Sequence, residues 1–347
     1  MTSLATPQSR GPLQQAREVL AARGLLDRER LLQMLDLAVA KRVTVVSAPP
    51  GSGKTSLLRA WAEHTSDDRR VAFVSVEREQ QNAQRFWCGV LDAVRDPVGA
   101  IDSEIYSQTK ALDADALVET VRLEVAGQAQ PAVLIIDDLH ELKSAEAFGQ
   151  LEDLLVSLPR SARVVFSSRR DPPIRLHRLR LAEDLAEIRS DDLRFTEPET
   201  RELLASSGIS LSSTGVTALR ERTEGWAAGL RLAVISLSGH PDPERFVAEF
   251  SGTDRAIGEY LMAEMLERQP SEVQSMLLRT SILDRVNDEL ADLLSGRTGS
   301  EQLLLGLEDA NAFVVSVDPE RTWIRYHQLL ADFLRLELRR TLADEVH

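Results

Sequence analysis

An apolar run that leads directly into a glycine-rich loop constrains this chain more than any other feature. Residues 43–47 read VTVVS and residues 48–55 read APPGSGKT. The run predicts a buried strand, and the next segment, SLLRAWAEH (56–64), has helical spacing. Strand, loop and helix in this order are typical of a P-loop, where backbone N–H groups and a helix N-terminus hold a phosphate. The pattern G-x-x-x-x-G-K-[ST] is met except at its first position, where Ala48 replaces glycine.

The residue types in this loop predict binding of ATP or ADP with Mg²⁺. Gly51 and Gly53 allow backbone conformations and a close phosphate approach that a side chain would block. Lys54 supplies a cation for the β- and γ-phosphates, and the hydroxyl of Thr55 is placed for Mg²⁺. The positions predicted to contact the nucleotide in this loop are Pro50, Gly51, Ser52, Gly53, Lys54, Thr55 and Ser56.

A second apolar strand, within PAVLIIDDLH (131–140), ends in two carboxylates. In a P-loop protein the aspartate associated with Mg²⁺ follows such a strand. We therefore predict that Asp137 holds Mg²⁺, directly or through water, and that Asp138 orients or activates the attacking water. The alternative is an exposed Asp-Asp turn after a core strand.

The segment RVVFSSRRDPP (163–173) repeats this arrangement, with a core strand that ends in charged residues. Parallel strands present their carboxyl ends at one edge of a sheet, so Arg169 is predicted to reach the γ-phosphate. Residues 160–180 hold seven arginines and one acid, Asp171, which predicts a local positive patch. The alternative, that these arginines are solvated or pair with the helix at 144–158, applies to most of them.

Alternating apolar runs and helical patterns predict the fold class, an α/β P-loop NTPase with a parallel sheet covered by helices on both faces. Further strands are predicted at 71–76, 132–137, 163–168 and 185–190, and helices at 25–40, 55–64, 82–95, 113–127 and 144–158. After about residue 196 strand signals nearly stop. Thr196 is predicted to cap a helix with Glu199 three residues on.

Further helical patterns and a late hairpin predict two more domains, a small helical domain and a winged-helix domain. Helices are predicted at 213–224, 226–238, 243–250, 254–268, 271–280, 300–311 and 327–340, and hairpin strands at 313–317 and 322–326. The predicted domains are an N-terminal lead (1–24), the P-loop NTPase domain (25–195), the helical domain (196–250) and the winged-helix domain (251–347).

Composition predicts a cytoplasmic protein without a membrane partner. The net charge is −14, which disfavours general binding to nucleic acid or to a membrane surface. A single cysteine, Cys88, excludes an internal disulfide and fits a reducing compartment. No signal peptide is recognisable in the first ten residues, and the longest apolar segment, 225–237, is too short to span a bilayer.

The chain from about residue 20 onward resembles the nucleotide-binding module of MalT-like regulators, LuxR-family proteins in the STAND class of signal-transducing ATPases. The resemblance is carried by APPGSGKT (48–55), RFW (85–87), LIIDDLH (134–140), SSRRDPP (167–173), DLRFT (192–196), TEGWAAGLRLA (223–233), GTDRAIGEYLMAEMLERQP (252–270), LLRTSILDR (277–285) and WIRYHQLLADFLR (323–335). It implies a closed state that holds ADP, exchange for ATP on binding an inducer, ATP-dependent self-association, and hydrolysis that resets the protein.

The resemblance also implies roles for single residues. Lys54 and Thr55 match the phosphate-loop positions of the family, and Asp137 and Asp138 match its acidic pair. Arg169 then matches the arginine that senses the γ-phosphate.

Three further positions resemble residues near the nucleotide. His327 matches a winged-helix histidine expected to contact the β-phosphate of ADP, and Arg28 resembles the position that lines the adenine side. GLRLA (229–233) resembles a segment that reads GLPLA in related proteins and touches the base through its proline. Arg231 replaces that proline, so this contact is not carried over.

The resemblance further implies a helical-repeat sensor and a DNA-binding helix-turn-helix, and we expect both to lie outside this sequence. Residues 251–347 hold ten arginines, no lysine and eighteen acidic residues, so they are predicted to form a lid over the nucleotide rather than a DNA reader. The function predicted is a slowly hydrolysing ATP/ADP switch that responds to a small-molecule or protein inducer. The alternatives are a P-loop remodelling ATPase with fast turnover and a non-hydrolysing interaction module.

Overall fold

A computed structural model describes residues 28–65, 69–77, 82–95 and 112–345, so the predicted N-terminal lead lies outside the described residues. The first part of the chain alternates strands with helices. The strands are β1 (Val43–Ser47), β2 (Arg70–Ser75), β3 (Ala132–Asp137), β4 (Arg163–Ser168) and β5 (Leu185–Arg189). The helices are α1 (Glu29–Ala38), α2 (Lys54–Thr65), α3 (Ala83–Arg95), α4 (Ala114–Ala126), α5 (Ala145–Ser157), α6 (Leu176–Leu181) and α7 (Ser190–Leu193).

The five strands form one sheet in the order β2-β3-β4-β1-β5, and all neighbouring strands run parallel. β4 therefore lies between β1, which precedes the P-loop, and β3, which ends in the aspartates. Ser47 at the end of β1 pairs with Ser168 at the end of β4. The carboxyl ends of all three strands meet at one edge, as the sequence predicts.

The sheet is buried on both faces, because successive residues of its central strands enter different apolar clusters. Val133 and Ile135 of β3 pack with Trp61 of α2, while Leu134 and Ile136 pack in the cluster on the other face, which contains residues of α3, α4 and α5. A continuous apolar strand needs this double cover. The structure thus confirms the predicted fold class.

The second part of the chain is helical and ends in a winged helix. Its elements are α8 (Glu197–Ser206), α9 (Ser213–Arg222), α10 (Ala227–Leu237), α11 (Pro243–Glu249), α12 (Arg255–Leu261), a π-helical turn (Met262–Leu266), α13 (Ser271–Thr280), α14 (Asp288–Ser295), α15 (Ser300–Asp309), β6 (Val314–Ser316), β7 (Ile324–Tyr326) and α16 (Gln328–Glu345). The capping box of Thr196 and Glu199 is present at α8. β6 and β7 pair antiparallel as the predicted hairpin.

Three observed helices, α6, α7 and α14, have no counterpart among the predicted segments. α6 and α7 span six and four residues, too few to show a helical period. α14 is a helix of only eight residues in which Ala291 alone is fully buried. Within the part of the chain that the structure describes, no helix combines the length and apolarity that crossing a bilayer requires.

One apolar cluster runs through the whole second part of the chain, from Phe195 to Leu334. The helical segments and the winged helix therefore share a core. Gly252 marks its tightest backbone contact: a Cβ added there would overlap the carbonyl oxygen of Leu329 in α16. Only glycine allows the 251–254 turn to lie this close to the last helix.

We expect Gly252→Ala to lower the free energy of unfolding by about 3 kcal/mol, because backbone on both sides of the contact must move apart. Gly306→Ala is the matched control: Gly306 lies inside α15 with open space around its Cα, and alanine should stabilise the helix by about 0.5 kcal/mol. Denaturant unfolding of both variants provides the measurement. Equal stability of the Gly252→Ala protein and wild type would contradict this packing.

Candidate nucleotide site

The P-loop between β1 and α2 has the backbone that phosphate binding requires. Gly51 and Gly53 have φ values of +72° and +85°, which disfavour residues with a Cβ. Lys54 begins α2, and its Nζ donates to the carbonyl oxygens of Ala48 and Pro49 at 2.8 and 2.9 Å. Burial lowers the pKa of Lys54 to about 8, so the ammonium remains mostly protonated at neutral pH.

Three other predicted positions, Ser52, Thr55 and Ser56, lie in the loop and in the helix start that follows it. Ser52 is buried and lines a cavity beside the loop, and Thr55 and Ser56 lie in the first turn of α2. Their backbone N–H groups therefore belong to a helix N-terminus, where an anion is stabilised.

The second part of the chain holds the P-loop in place. Trp226 Nε1 donates to the carbonyl oxygen of Pro50 at 3.1 Å, and the N–H of Ala228 donates to that of Gly51 at 2.9 Å. A Cβ at Gly51 would lie 2.6 Å from Ala228 Cβ and 2.7 Å from the Tyr260 hydroxyl. The glycine is thus needed both for its φ and for this close approach.

Asp137 has the geometry of a cation ligand. Its side chain is fully buried, one carboxylate oxygen accepts from the Asp138 N–H at 3.1 Å, and the other has no hydrogen-bond partner. The hydroxyl of neighbouring Ser167 is likewise buried and unpartnered. Oxygen donors suit Mg²⁺, which needs only one or two protein ligands when phosphates supply others. Residues 28–65, 69–77, 82–95 and 112–345 contain no cluster of three His, Cys, Asp or Glu side chains that could hold a metal.

Asp138 differs from its neighbour in exposure and in electrostatics. Its backbone is left-handed (φ +55°), and its side chain is 45% exposed. Burial of the group and the charge of Asp137 raise the pKa of Asp138, while Lys54 and Arg169 oppose that rise. A carboxylate with a raised pKa accepts a proton more readily, which suits activation of water.

Arg169, at the end of β4, is engaged by the winged-helix part of the chain. Its guanidinium lies 3.0 Å from the carboxylate of Glu264, in the π-helical turn, and Arg268 bonds the same carboxylate at 2.7 Å. Asn311 donates to the backbone oxygen of Arg169 at 2.8 Å and to Ser47 Oγ at 3.1 Å. Contact between Arg169 and a γ-phosphate stays a prediction.

The main cavity, of about 200 Å³, lies beside the P-loop, between the first part of the chain, the helical segments of the second part and its winged helix. It is lined by Pro49 and Ser52 of the loop, by Arg189 at the end of β5 and Ser190, Asp191, Leu193 and Arg194 after it, by Glu224, Gly225 and Trp226 before α10 and Ala227 at its start, and by Glu308, Asn311, Phe313, Val314, Val315 and His327 of the winged helix. Interfaces between domains of this kind commonly hold small ligands.

His327 lines this cavity, but both of its ring nitrogens already have backbone partners. Nδ1 accepts from the Leu329 N–H at 3.3 Å, so Nε2 carries the hydrogen and donates to the carbonyl oxygen of Thr223 at 3.1 Å. Burial lowers the pKa of His327 to about 4, so the ring is neutral at pH 7. Contact with the β-phosphate stays a prediction, and it would require exchange of one of these bonds.

Arg28 is placed at the start of α1, outside the residues that line the cavity. Its guanidinium binds Glu199 at 3.0 Å, donates to the carbonyl oxygens of Leu193 and Arg194 at 2.8 Å each, and lies 4.0 Å above the Phe195 ring. It thereby fixes two residues that line the cavity. Direct contact with adenine stays a prediction.

Glu224, between α9 and α10, contacts both the first part of the chain and the winged helix. Its carboxylate receives Arg194 at 3.2 Å, Arg325 at 2.8 and 2.9 Å, and the backbone N–H of Gln328 at 3.0 Å. Burial alone would raise the pKa of Glu224, but these donors, Arg325 above all, hold it at about 2. Its backbone is left-handed (φ +48°), so a tight turn presents the carboxylate.

Sequence reasoning missed the residues that connect the P-loop and sheet edge to the second part: Trp226, Ala228, Glu224, Glu264 and Asn311. Four of them lie in or near segments that carry the family resemblance. The resemblance marks these segments as important but does not say what the four residues contact. Their partners are between about 90 and 264 residues away in sequence, so no local pattern identifies them.

We expect Glu224→Gln to lower the free energy of unfolding by about 2 kcal/mol at pH 7, because Arg194 and Arg325 lose their carboxylate. The folded pKa of Glu224 lies below its ordinary value of 4.5, so its stabilisation is present above pH 4.5 and lost as the pH falls toward 2. The difference from wild type should shrink over that window in denaturant unfolding. Glu249→Gln, which removes an exposed pair with Arg245, is the control and should leave the stability close to that of wild type.

Comparison with known proteins finds family models that match two segments of the chain. Residues 38–167 match an AAA domain, and residues 262–346 match the MalT winged helix domain. The chain is 30% identical over 321 residues to the serine/threonine-protein kinase PknK of Mycobacterium tuberculosis, covering 91% of this chain and 29% of PknK. It is 29% identical over 325 residues to the HTH-type transcriptional regulator MalT of Serratia proteamaculans, covering 92% of this chain and 36% of MalT. The chain therefore spans about a third of the length of these curated relatives.

Among solved structures the fold is similar to a Walker-type ATPase of Pyrococcus abyssi. The TM-score is 0.63 at 14% identity, and the match covers 90% of this chain and 96% of that one. At this identity the likeness concerns the fold alone. A P-loop ATPase fold implies nucleotide binding, in agreement with the loop geometry. The chain is thus a P-loop ATPase module that joins an AAA domain to a MalT winged helix domain, and it is related to the MalT regulators and PknK over most of its length.

Proposed function

We propose that this chain is the ATP/ADP-operated switch module of a larger transcriptional regulator. The observation that carries the proposal is the cavity beside the P-loop, which the sheet domain, the helical segments and the winged helix enclose together. A nucleotide in this position would contact all three. Whether it is ADP or ATP would therefore determine how the sheet domain, the helical segments and the winged helix pack against one another. Exchange of ADP for ATP would then change the fit and expose surfaces for self-association.

Hydrolysis would use the residues gathered at the edge of the sheet. Lys54 neutralises charge on the β- and γ-phosphates, and Mg²⁺ held by Thr55 and Asp137 would supply further positive charge. Asp138 accepts a proton from a water whose oxygen bonds the γ-phosphorus, and the β,γ-bridging oxygen leaves with ADP. Arg169 stabilises charge on the transferred group.

The contacts of Arg169 support slow turnover and a closed resting state. Glu264 holds the guanidinium at 3.0 Å, so the arginine must leave a carboxylate before it can serve a γ-phosphate. Asn311 ties the same strand end to the winged helix. ADP would leave these contacts intact, whereas ATP would compete with Glu264 for Arg169.

Regulation would come through other parts of the regulator. We propose that an inducer, a small molecule or a protein, favours ATP exchange, and that DNA is bound by a separate domain. The acidic character of residues 251–347 supports this division, because phosphates would repel this winged helix.

We expect Lys54→Ala to weaken ADP and ATP binding by roughly 100-fold, because it removes a charge-assisted hydrogen bond to the phosphates. Isothermal titration of Mg·ADP and of a non-hydrolysable ATP analogue provides the measurement. Lys143→Ala, which removes an exposed lysine far along the sequence from the loop, should bind as wild type does. If the Lys54→Ala protein bound nucleotide with wild-type affinity, the proposed switch would be contradicted. A high rate of ATP turnover in the wild-type protein would instead favour a remodelling ATPase.

We expect His327→Ala to weaken ADP affinity more than ATP affinity, by roughly tenfold, because the proposed switch uses this histidine of the cavity wall to contact the β-phosphate of ADP. The same titrations on both nucleotides measure the ratio. His177→Ala, at an exposed position of α6, should change neither affinity. An equal loss for ADP and ATP would exclude His327 from nucleotide sensing.

A further inference from the structure

A second cavity, of about 170 Å³, lies between the sheet edge and the winged helix. It shares Asn311 and Phe313 with the main cavity and reaches the P-loop at Pro50. The other lining residues are His140, Arg169, Arg170, Glu264, Met265, Arg268, Gln269, Ala310 and Ala312.

Its charged lining is cationic. Arg169, Arg170 and Arg268 face one acid, Glu264, whose carboxylate lies between Arg169 (3.0 Å) and Arg268 (2.7 Å). Within the described ranges, the guanidinium of Arg170 has no carboxylate partner. Arginines present paired donors that match carboxylate and phosphate oxygens. Glu264 therefore holds the place that an incoming anion would take.

His140 supplies the observation that this space is built for a ligand. Its side chain is 10% exposed, and neither ring nitrogen has a hydrogen-bond partner. The nearest carboxylate oxygens, of Asp138 and Glu141, lie 3.9 and 3.6 Å away, beyond hydrogen-bond distance. Buried polar groups in folded proteins are nearly always satisfied, so an unpartnered imidazole in a cavity indicates an absent partner.

The neutral imidazole of His140 can donate one hydrogen bond to an anion. Burial, reinforced by the charges of Arg169 and Lys54, lowers the pKa of His140 to about 3, so the ring is neutral at pH 7. A neutral imidazole keeps one N–H donor. That donor and the three guanidinium groups would surround a tetrahedral dianion from several sides.

We propose that this second cavity binds the inorganic phosphate released from ATP, while ADP stays in the P-loop. The inference rests on the proposed function, since hydrolysis of ATP supplies the ligand. Arg169 belongs to both sites: it stabilises the γ-phosphoryl group before cleavage and lines the cavity that receives phosphate afterwards. Displacement of Glu264 by phosphate would loosen the hold of the winged helix on β4.

The test is titration of inorganic phosphate into the protein saturated with Mg·ADP, followed by ³¹P NMR or calorimetry. Wild type should bind phosphate saturably. His140→Ala and Arg268→Gln should each weaken phosphate binding roughly tenfold and leave ADP affinity unchanged, because each removes one donor. Glu264→Gln should tighten phosphate binding, because it removes the competing carboxylate. This gain in affinity cannot result from misfolding.

Arg255→Gln is the matched control for Arg268→Gln. Each arginine pairs with a glutamate four positions away along the chain, but Arg255 is exposed and lies outside the cavity. Arg255→Gln should bind phosphate as wild type does, and a loss equal to that of Arg268→Gln would contradict the site.

Two other outcomes would overturn the proposal. ADP-loaded protein that takes up no phosphate would exclude the site and leave the proposed switch intact, whereas failure to bind ADP at all would contradict both. If His140→Ala and Arg268→Gln weaken a non-hydrolysable ATP analogue but not phosphate, the cavity serves the attached γ-phosphate, and the product site is wrong.

Discussion

Two hydrogen bonds join the P-loop to a helix start almost 180 residues later: Trp226 to the carbonyl of Pro50 and Ala228 to the carbonyl of Gly51. Because these bonds fix the outer face of the loop, its inner N–H groups keep one orientation. The same contact positions Trp226 and Ala227 in the wall of the main cavity. Loop geometry and cavity shape therefore depend on one interface, and the rest of the site is arranged around it.

The charges at the sheet edge form one coupled set. Asp138 and Asp137 raise the pKa of Lys54 and Arg169 lowers it, while Asp137 raises the pKa of Asp138 and Lys54 and Arg169 lower it. A bound polyphosphate adds negative charge at the centre of this set. Each of these side chains would respond to nucleotide, even those that do not touch it.

The sequence predicts the sheet domain well because its signals are local. β3 and β4 have the predicted bounds, and Gly51 and Gly53 have positive φ values as the predicted loop requires, since apolar runs and glycine spacing determine both. Three side-chain hydrogen bonds could not be predicted, because each depends on how distant elements pack. They join Arg28 to Glu199, Arg169 to Glu264 and Asn311 to Ser47. The resemblance assigned Arg28 to the adenine side, whereas its observed partners are protein groups.

Because the turn at Met262–Leu266 is π-helical, the contact between Glu264 and Arg169 should be sensitive to the insertion or deletion of a residue within that turn. Such a turn contains one more residue than an α-helical turn, and it is here that Glu264 is presented to Arg169. Removing one residue would restore an α-helical turn, whose side chains are spaced differently around the axis, so Glu264 would lose its present position opposite Arg169. Sequence length in this turn should therefore vary less among related chains than the identities of its side chains.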